Sequence, residues 1–128
     1  MSAADDPSAP APLGWHHLVE LGGCDVAALD DVHRIEAALR AAAKAAGATV
    51  IDARFHKFAP QGVSGVVLIA ESHLSVHTWP EHAYAAVDLF TCGVTLDAEP
   101  AVVLLQAALG ATTVSRQAIP RGLTDSAR

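Results

Sequence analysis

Cysteine is scarce in this chain. There are two, Cys24 and Cys92, far apart and in unlike settings. That excludes the disulfide framework that staples small secreted domains and fits a reducing, cytoplasmic location. Basic residues are few as well: Lys and Arg number 8 against 14 Asp and Glu, for a net charge of −6 with His neutral. A nucleic-acid binder needs a basic stripe, so that class is set aside; a cationic small molecule would suit the charge better. No apolar run approaches the roughly 20 residues that span a membrane. The first 13 residues are small, acidic and Pro-rich, without the basic start and apolar core of a signal peptide. No membrane partner is therefore expected. Charged residues make up only 17% and apolar ones 52%, a share inflated by alanine. This is a globular composition, and 128 residues suffice for one domain with a single core.

What the chain does have is concentrated in residues 71–93. Three His (His73, His77, His82), Trp79, the acids Glu71, Glu81 and Asp88, two Ser and Cys92 fall in that stretch. Period-two alternation there predicts two strands with unlike faces. In the first, His73, Ser75, His77 and Trp79 share one face, and Leu74, Val76 and Thr78 the other. In the second, Tyr84, Ala86, Asp88, Phe90 and Cys92 oppose Ala85, Val87, Leu89 and Thr91. Pro80 marks the turn between them. The bland faces are those that helices would cover, which leaves the reactive groups together on the opposite side.

Several chemistries compete for this cluster. His73, His77, His82 and Cys92 are possible zinc ligands, but no Cys-x-x-Cys partner exists, and no metal is expected. A Cys92 nucleophile with a His base lacks the strand-to-helix elbow that would present the thiol. Strand residues that only hydrogen-bond to one another would explain any single His, but explain the whole cluster poorly.

The pattern E-S-H-L-x-x-H-T-W-P-E, followed by Tyr84 and D-x-F-T-C-G, resembles the small pyruvoyl-dependent S-adenosylmethionine decarboxylases of bacteria and archaea, over residues 14–120. The resemblance implies a proenzyme that cuts itself between Glu71 and Ser72. Decarboxylation leaves a carbanion that needs an electron sink, and no ordinary side chain is a ketone. In the family, the serine at the cut becomes a pyruvoyl cofactor that forms a Schiff base with the substrate amine; here that residue is Ser72. The resemblance makes His77 the base in processing, Ser64 (in Q-G-V-S-G) its helper at the carbonyl, and Cys92 the proton donor to the carbanion. A thiol suits that last role because its usual pKa of about 8.5 keeps it neutral in the cell. It further implies that Phe58 (in F-H-K-F-A-P) stacks on adenine, that Trp79 lines the substrate pocket, and that Glu81 binds the ribose hydroxyls. Aromatic faces suit both a purine and a sulfonium cation. The activity implied is decarboxylation of S-adenosylmethionine to the aminopropyl donor of spermidine biosynthesis. Two alternatives stay open. One is an arginine or ornithine decarboxylase on the same scaffold; the other is an uncleaved, non-enzymatic metal- or ligand-binding module.

The rest of the chain supplies scaffold. Residues 15–21 are expected to form a strand with Val19 and Leu21 on one side. Asp30 or Asp31 should cap a helix running to Ala46, with Val32, Ile35, Leu39, Ala42 and Ala46 inward and Gly47 as its stop. A strand over 49–58 would place Ile51, Ala53 and Phe55 on one face and Asp52, Arg54, His56 and Phe58 on the other. A strand over 65–70 leads into the cut, where flanking strands would hold a fixed, strained turn. Asp97 should cap a second helix with Ala101, Leu104, Leu105, Ala108 and Leu109 inward and Gly110 as its stop, followed by a strand over 111–119 that Pro120 and Gly122 close. The expected architecture is an α+β two-layer sandwich: a mainly antiparallel sheet, two helices on one face, and the other face packed sheet to sheet in a homodimer. Residues 14–122 would form the domain, between a disordered tail at 1–13 and a loose tail at 123–128.

Overall fold

The computed structural model describes residues 11–92 and 96–123. The elements run β1 (Pro12–Gly22), α1 (Val26–Leu29), α2 (Val32–Ala45), β2 (Val50–Lys57), β3 (Val63–Ile69), β4 (Ser72–Trp79), a 3-10 turn (Pro80–His82), β5 (Tyr84–Cys92), α3 (Ala98–Leu109) and β6 (Thr113–Leu123). Among the described residues the strands make one six-stranded sheet in the order β2-β3-β4-β5-β1-β6. Every pairing is antiparallel. The architecture is α+β, as expected. Of the expected tails, 1–13 and 123–128, residues 1–10 and 124–128 lie outside the described residues, while Pro12, Leu13 and Leu123 belong to strands.

One face of the sheet carries the core. Val19, Leu21, Val63, Val67, Ile69, Leu74, Val76, Val87 and Leu89 are buried against Leu29 of α1, Ile35 and Leu39 of α2, and Val102, Leu105 and Leu109 of α3. Burying each such side chain stabilises the fold by about 1.5–3 kcal/mol. The helices start where short polar side chains cap them. The Asp31 carboxylate accepts from the amides of His33 and Arg34 at 3.0 and 3.2 Å, and Asp97 accepts from Glu99 at 3.1 Å. Gly110 ends α3 in the left-handed region, at φ 64°.

Four expectations need correction. Ile51 does not face inward but is 60% exposed. A bulge between Val50 and Asp52 breaks the alternation, so Val50, Ala53 and Phe55 are the residues packed on the core. Ala108 is exposed, and Val102 takes its place: the buried line of α3 runs 98, 102, 105 and 109, and Ala108 sits a 100° step off it. The last strand passes through Pro120 to Leu123, which the sheet tolerates because β6 is an edge strand. The short helix α1 was not anticipated; four residues are too few for a periodic pattern.

Gly65 falls in a strand, as expected. It lies within β3, opposite Phe55, whose ring covers its Cα so closely that a Cβ would overlap the ring. Gly65→Ala is expected to lower stability by about 1–3 kcal/mol through overpacking, seen as a thermal midpoint several degrees lower. An unchanged midpoint would mean that the ring moves aside freely.

Candidate active site

β3 and β4 are joined by a two-residue turn, Ala70 and Glu71, with Ile69 opposite Ser72. Glu71 has φ 72°, a conformation that costs an L-residue roughly 1–2 kcal/mol. Gly or Asn usually occupies such a position. The bond between Glu71 and Ser72 therefore leaves a strained residue and enters a strand. The Ser72 hydroxyl is partly buried and donates to the carbonyl of Phe90 on β5. Cys92, a free thiol at the end of β5, lines a cavity of about 290 Å³ with Thr49, Ala70 and Glu71. Strained peptide, hydroxyl and thiol are thus gathered at one end of the sheet. The other cysteine, Cys24, is sealed in the core, and burial pushes its thiol up.

A second cluster lies at the opposite end of the same hairpin. Ser64 and His77 face each other across β3 and β4, and Ser64 Oγ lies 2.7 Å from His77 Nδ1. A cavity of about 250 Å³ beside them is lined by Phe58, Gln61, Ser64, His77, Trp79 and Glu81. The Phe58 ring meets His56 edge-on at 4.6 Å, and Trp79 stacks on Tyr84 at 5.4 Å and 29°. The Tyr84 hydroxyl donates to Glu20; burial, and then the adjoining Glu20 carboxylate, push its pKa up to about 12, so it stays a donor at physiological pH.

Five of the residues singled out from the sequence, Phe58, Ser64, His77, Trp79 and Glu81, therefore converge. What one chain does not do is bring that cluster to the Glu71–Ser72 bond. His77 follows Ser72 by five strand positions, a span of about 16 Å, and the odd spacing sends the two side chains to opposite sheet faces. The ligand set considered for zinc does not form. His73 stacks near Phe90, at 6.5 Å, and among the described residues no three His, Cys, Asp or Glu side chains are placed to share a metal ion. Three contributors were given no role from the sequence: Tyr84, Gln61 and Glu20. Tyr84 could have been found from its place on the reactive face directly after the turn that follows Trp79. Gln61 and Glu20 carry no local signal.

An antiparallel sheet covered by helices on one face, with polar side chains spread over the other and a strained peptide ahead of a serine, defines a class of α+β domain with an open, polar sheet face. The family described as S-adenosylmethionine decarboxylase matches residues 15–122, and the chain belongs to it. It is 49% identical over 111 residues to S-adenosylmethionine decarboxylase proenzyme 2 of Halalkalibacterium halodurans, covering 87% of each chain. It is 50% identical, with the same coverage, to the S-adenosylmethionine decarboxylase proenzyme of Carboxydothermus hydrogenoformans. The crystal structure of the adenosylmethionine decarboxylase of Aquifex aeolicus superposes with a TM-score of 0.82 at 38% identity, covering 90% of this chain and 95% of that one.

The turn yields a direct prediction. In an uncut Ser72→Ala background, adding Glu71→Gly should raise stability by about 0.5–1 kcal/mol. Relief of the left-handed strain outweighs the extra chain entropy of glycine. A thermal melt of the two uncut proteins measures it; a lower midpoint for the glycine variant would show that Glu71 is not strained.

Proposed function

We propose that this chain is a self-processing decarboxylase of S-adenosylmethionine, made as a proenzyme and cut between Glu71 and Ser72, whose product is the aminopropyl donor for spermidine biosynthesis. The observation that carries the reading is the placement of Ser72: it follows a residue held at φ 72° and has its hydroxyl oriented by the Phe90 carbonyl. Relatives about 50% identical that carry the name S-adenosylmethionine decarboxylase proenzyme favour this substrate over arginine or ornithine, and favour an enzyme over a binding module.

Processing draws on this chain's own groups. The Ser72 oxygen attacks the carbonyl carbon of Glu71, the bond from that carbon to the Ser72 nitrogen breaks, and the amide becomes an ester. A base removes the α-proton of residue 72, the Glu71 carboxylate leaves, and the resulting dehydroalanine hydrolyses to a pyruvoyl group with release of ammonia. His77 is the base, and the Ser64 hydroxyl, hydrogen-bonded to its ring, helps to stabilise the oxyanion. The pyruvoyl group supplies a ketone able to take up the electron pair left when carbon dioxide departs. Cys92, lining the cavity beside the cut, returns a proton to the substrate's α-carbon. Phe58 and Trp79 offer aromatic faces to the adenine and the sulfonium, and Glu81 accepts hydrogen bonds from the ribose hydroxyls. Unpaired thiols at Cys24 and Cys92 favour work in a reducing cytoplasm.

The roughly 16 Å between Ser72 and His77 has a consequence for assembly. The open face presents Val66, Leu68 and Trp79, with Leu68 48% exposed, and such a face favours cover. Two copies packed sheet to sheet about a two-fold axis would set the Ser72 and Cys92 end of one against the Ser64 and His77 end of the other. Each active site would then draw on both protomers.

Two experiments test these proposals. Mass spectrometry of the purified protein should find fragments 1–71 and 72–128, the second beginning with a pyruvoyl group. Ser72→Ala should give uncut chain alone, and Cys92→Ala should be cut but turn over at least tenfold more slowly. A fully uncut parent would overturn the self-processing reading. For the shared site, Ser72→Ala and His77→Ala chains with different tags should each stay uncut alone. Co-expressed, the His77→Ala chain should be cut, because the other chain supplies its histidine. If neither chain is cut in mixed dimers, His77 does not act across the interface.

A further inference from the structure

We propose that Asp30, a residue of the helical layer, positions Phe58 for substrate; the inference rests on the reading of Phe58 as a substrate-stacking group. Asp30 closes α1, its amide bonding back to the carbonyls of Ala28 and Val26. Its carboxylate oxygen Oδ1 reaches across to the loop between β2 and β3, accepting from the amide of Gly62 at 2.8 Å and from Lys57 Nζ at 3.0 Å. Those two partners hold the Phe58 peptide from both sides. The Phe58 amide donates to the carbonyl of Gly62 at 2.8 Å, and Lys57 Nζ donates to the carbonyl of Phe58 at 3.3 Å. Both polar backbone groups of Phe58 are thus set by residues that a single carboxylate fixes in place.

The rest of the loop makes that fixing necessary. The Phe58 ring is 45% exposed, so packing alone does not define its direction. Gly62 has φ 104°, a conformation closed to other residues, which leaves its backbone as the only handle. The carboxylate is well anchored on its own side: buried Thr78 Oγ1 donates to the carbonyl of Leu29, beside Asp30, at 2.8 Å and accepts from the amide of Val63, beside Gly62, at 2.9 Å. The end of α1, the start of β3 and the end of β4 form one rigid joint, and Asp30 projects from it. The Gly62 amide, and then Lys57, hold the Asp30 carboxyl below the usual carboxylate range, so the tether stays charged wherever the enzyme is assayed. Asp30 lines neither the cavity beside Cys92 nor the one that holds Phe58, and its effect must pass through the loop.

The test separates positioning from general stability. Asp30→Ala should be cut into the two fragments as the parent is and keep kcat within about twofold. Its KM for S-adenosylmethionine should rise about three- to tenfold, the range given by losing one or two net hydrogen bonds. Asp30→Asn, which keeps an acceptor for Gly62, should recover part of the loss. In a Phe58→Ala background, Asp30→Ala should add less than twofold. A KM for Asp30→Ala equal to the parent's, while Phe58→Ala raises it, would overturn the proposal alone. If neither change moves KM, the role of Phe58 falls and the proposal falls with it. Multiplying effects in the double variant would overturn it too, because Asp30 would then act by another route. In uncut Ser72→Ala protein, which needs no substrate, Asp30→Ala should also lose hydrogen-exchange protection at the Phe58 and Gly62 amides; unchanged protection there would sink the tether itself.

Discussion

The structure depends on the pairing of an alternating sheet with one covering layer of helices. Once Leu74, Val76, Val87 and Leu89 are committed to the core, the strand pleat leaves their neighbours no choice of face. His73, Ser75, His77 and Trp79 on β4, and Asp88 and Phe90 on β5, are turned outward together. A one-residue slip of register would bury the polar side chains and expose the core, so the register is held by the whole hydrophobic energy of the inward face. The chemistry is placed by the packing of residues that take no part in it.

The same constraint explains why the reactive groups occur in two clusters. A hairpin holds Ser64 against His77 by pairing, because they are register partners. It cannot also hold His77 against Ser72, which precedes it on the same extended strand. Distance along a strand is rigid in a way that distance along a loop is not. The fold therefore places the strained peptide and thiol at one end and the ring, hydroxyl and aromatic faces at the other. The open face between them is apolar at Val66 and Leu68, and the proposed dimer would cover it.

Much of this was legible from residue order. The alternation in β4 and β5, the caps at Asp31 and Asp97, and the inward line of α2 follow from local rules of pleat, cap and helical turn. The long motif around Ser72 identified the family and with it the candidate residues. The failures have physical causes. The bulge at Val50 and Asp52 reverses the faces of β2 ahead of it and is set by pairing with β3. Helix α1 is too short to show a period. The partnership of Phe55 with Gly65 is a cross-strand contact, and the joining of Asp30 to Gly62 spans the gap between the helical layer and the sheet.

By itself, the sequence determined the inward faces of β4, β5 and α2 and the caps at Asp31 and Asp97, because these are governed by neighbours within a turn or a strand; the serine, histidine and thiol proposed for the chemistry came from the family motif. Only the tertiary structure decided that Ser72 follows a left-handed residue, that Ser64 meets His77 while both stay far from the Glu71–Ser72 bond, and that a carboxylate on a helix end accepts from the loop of Phe58. Those relations join segments distant in the chain, and they are set by strand pairing and layer packing, which no local pattern encodes.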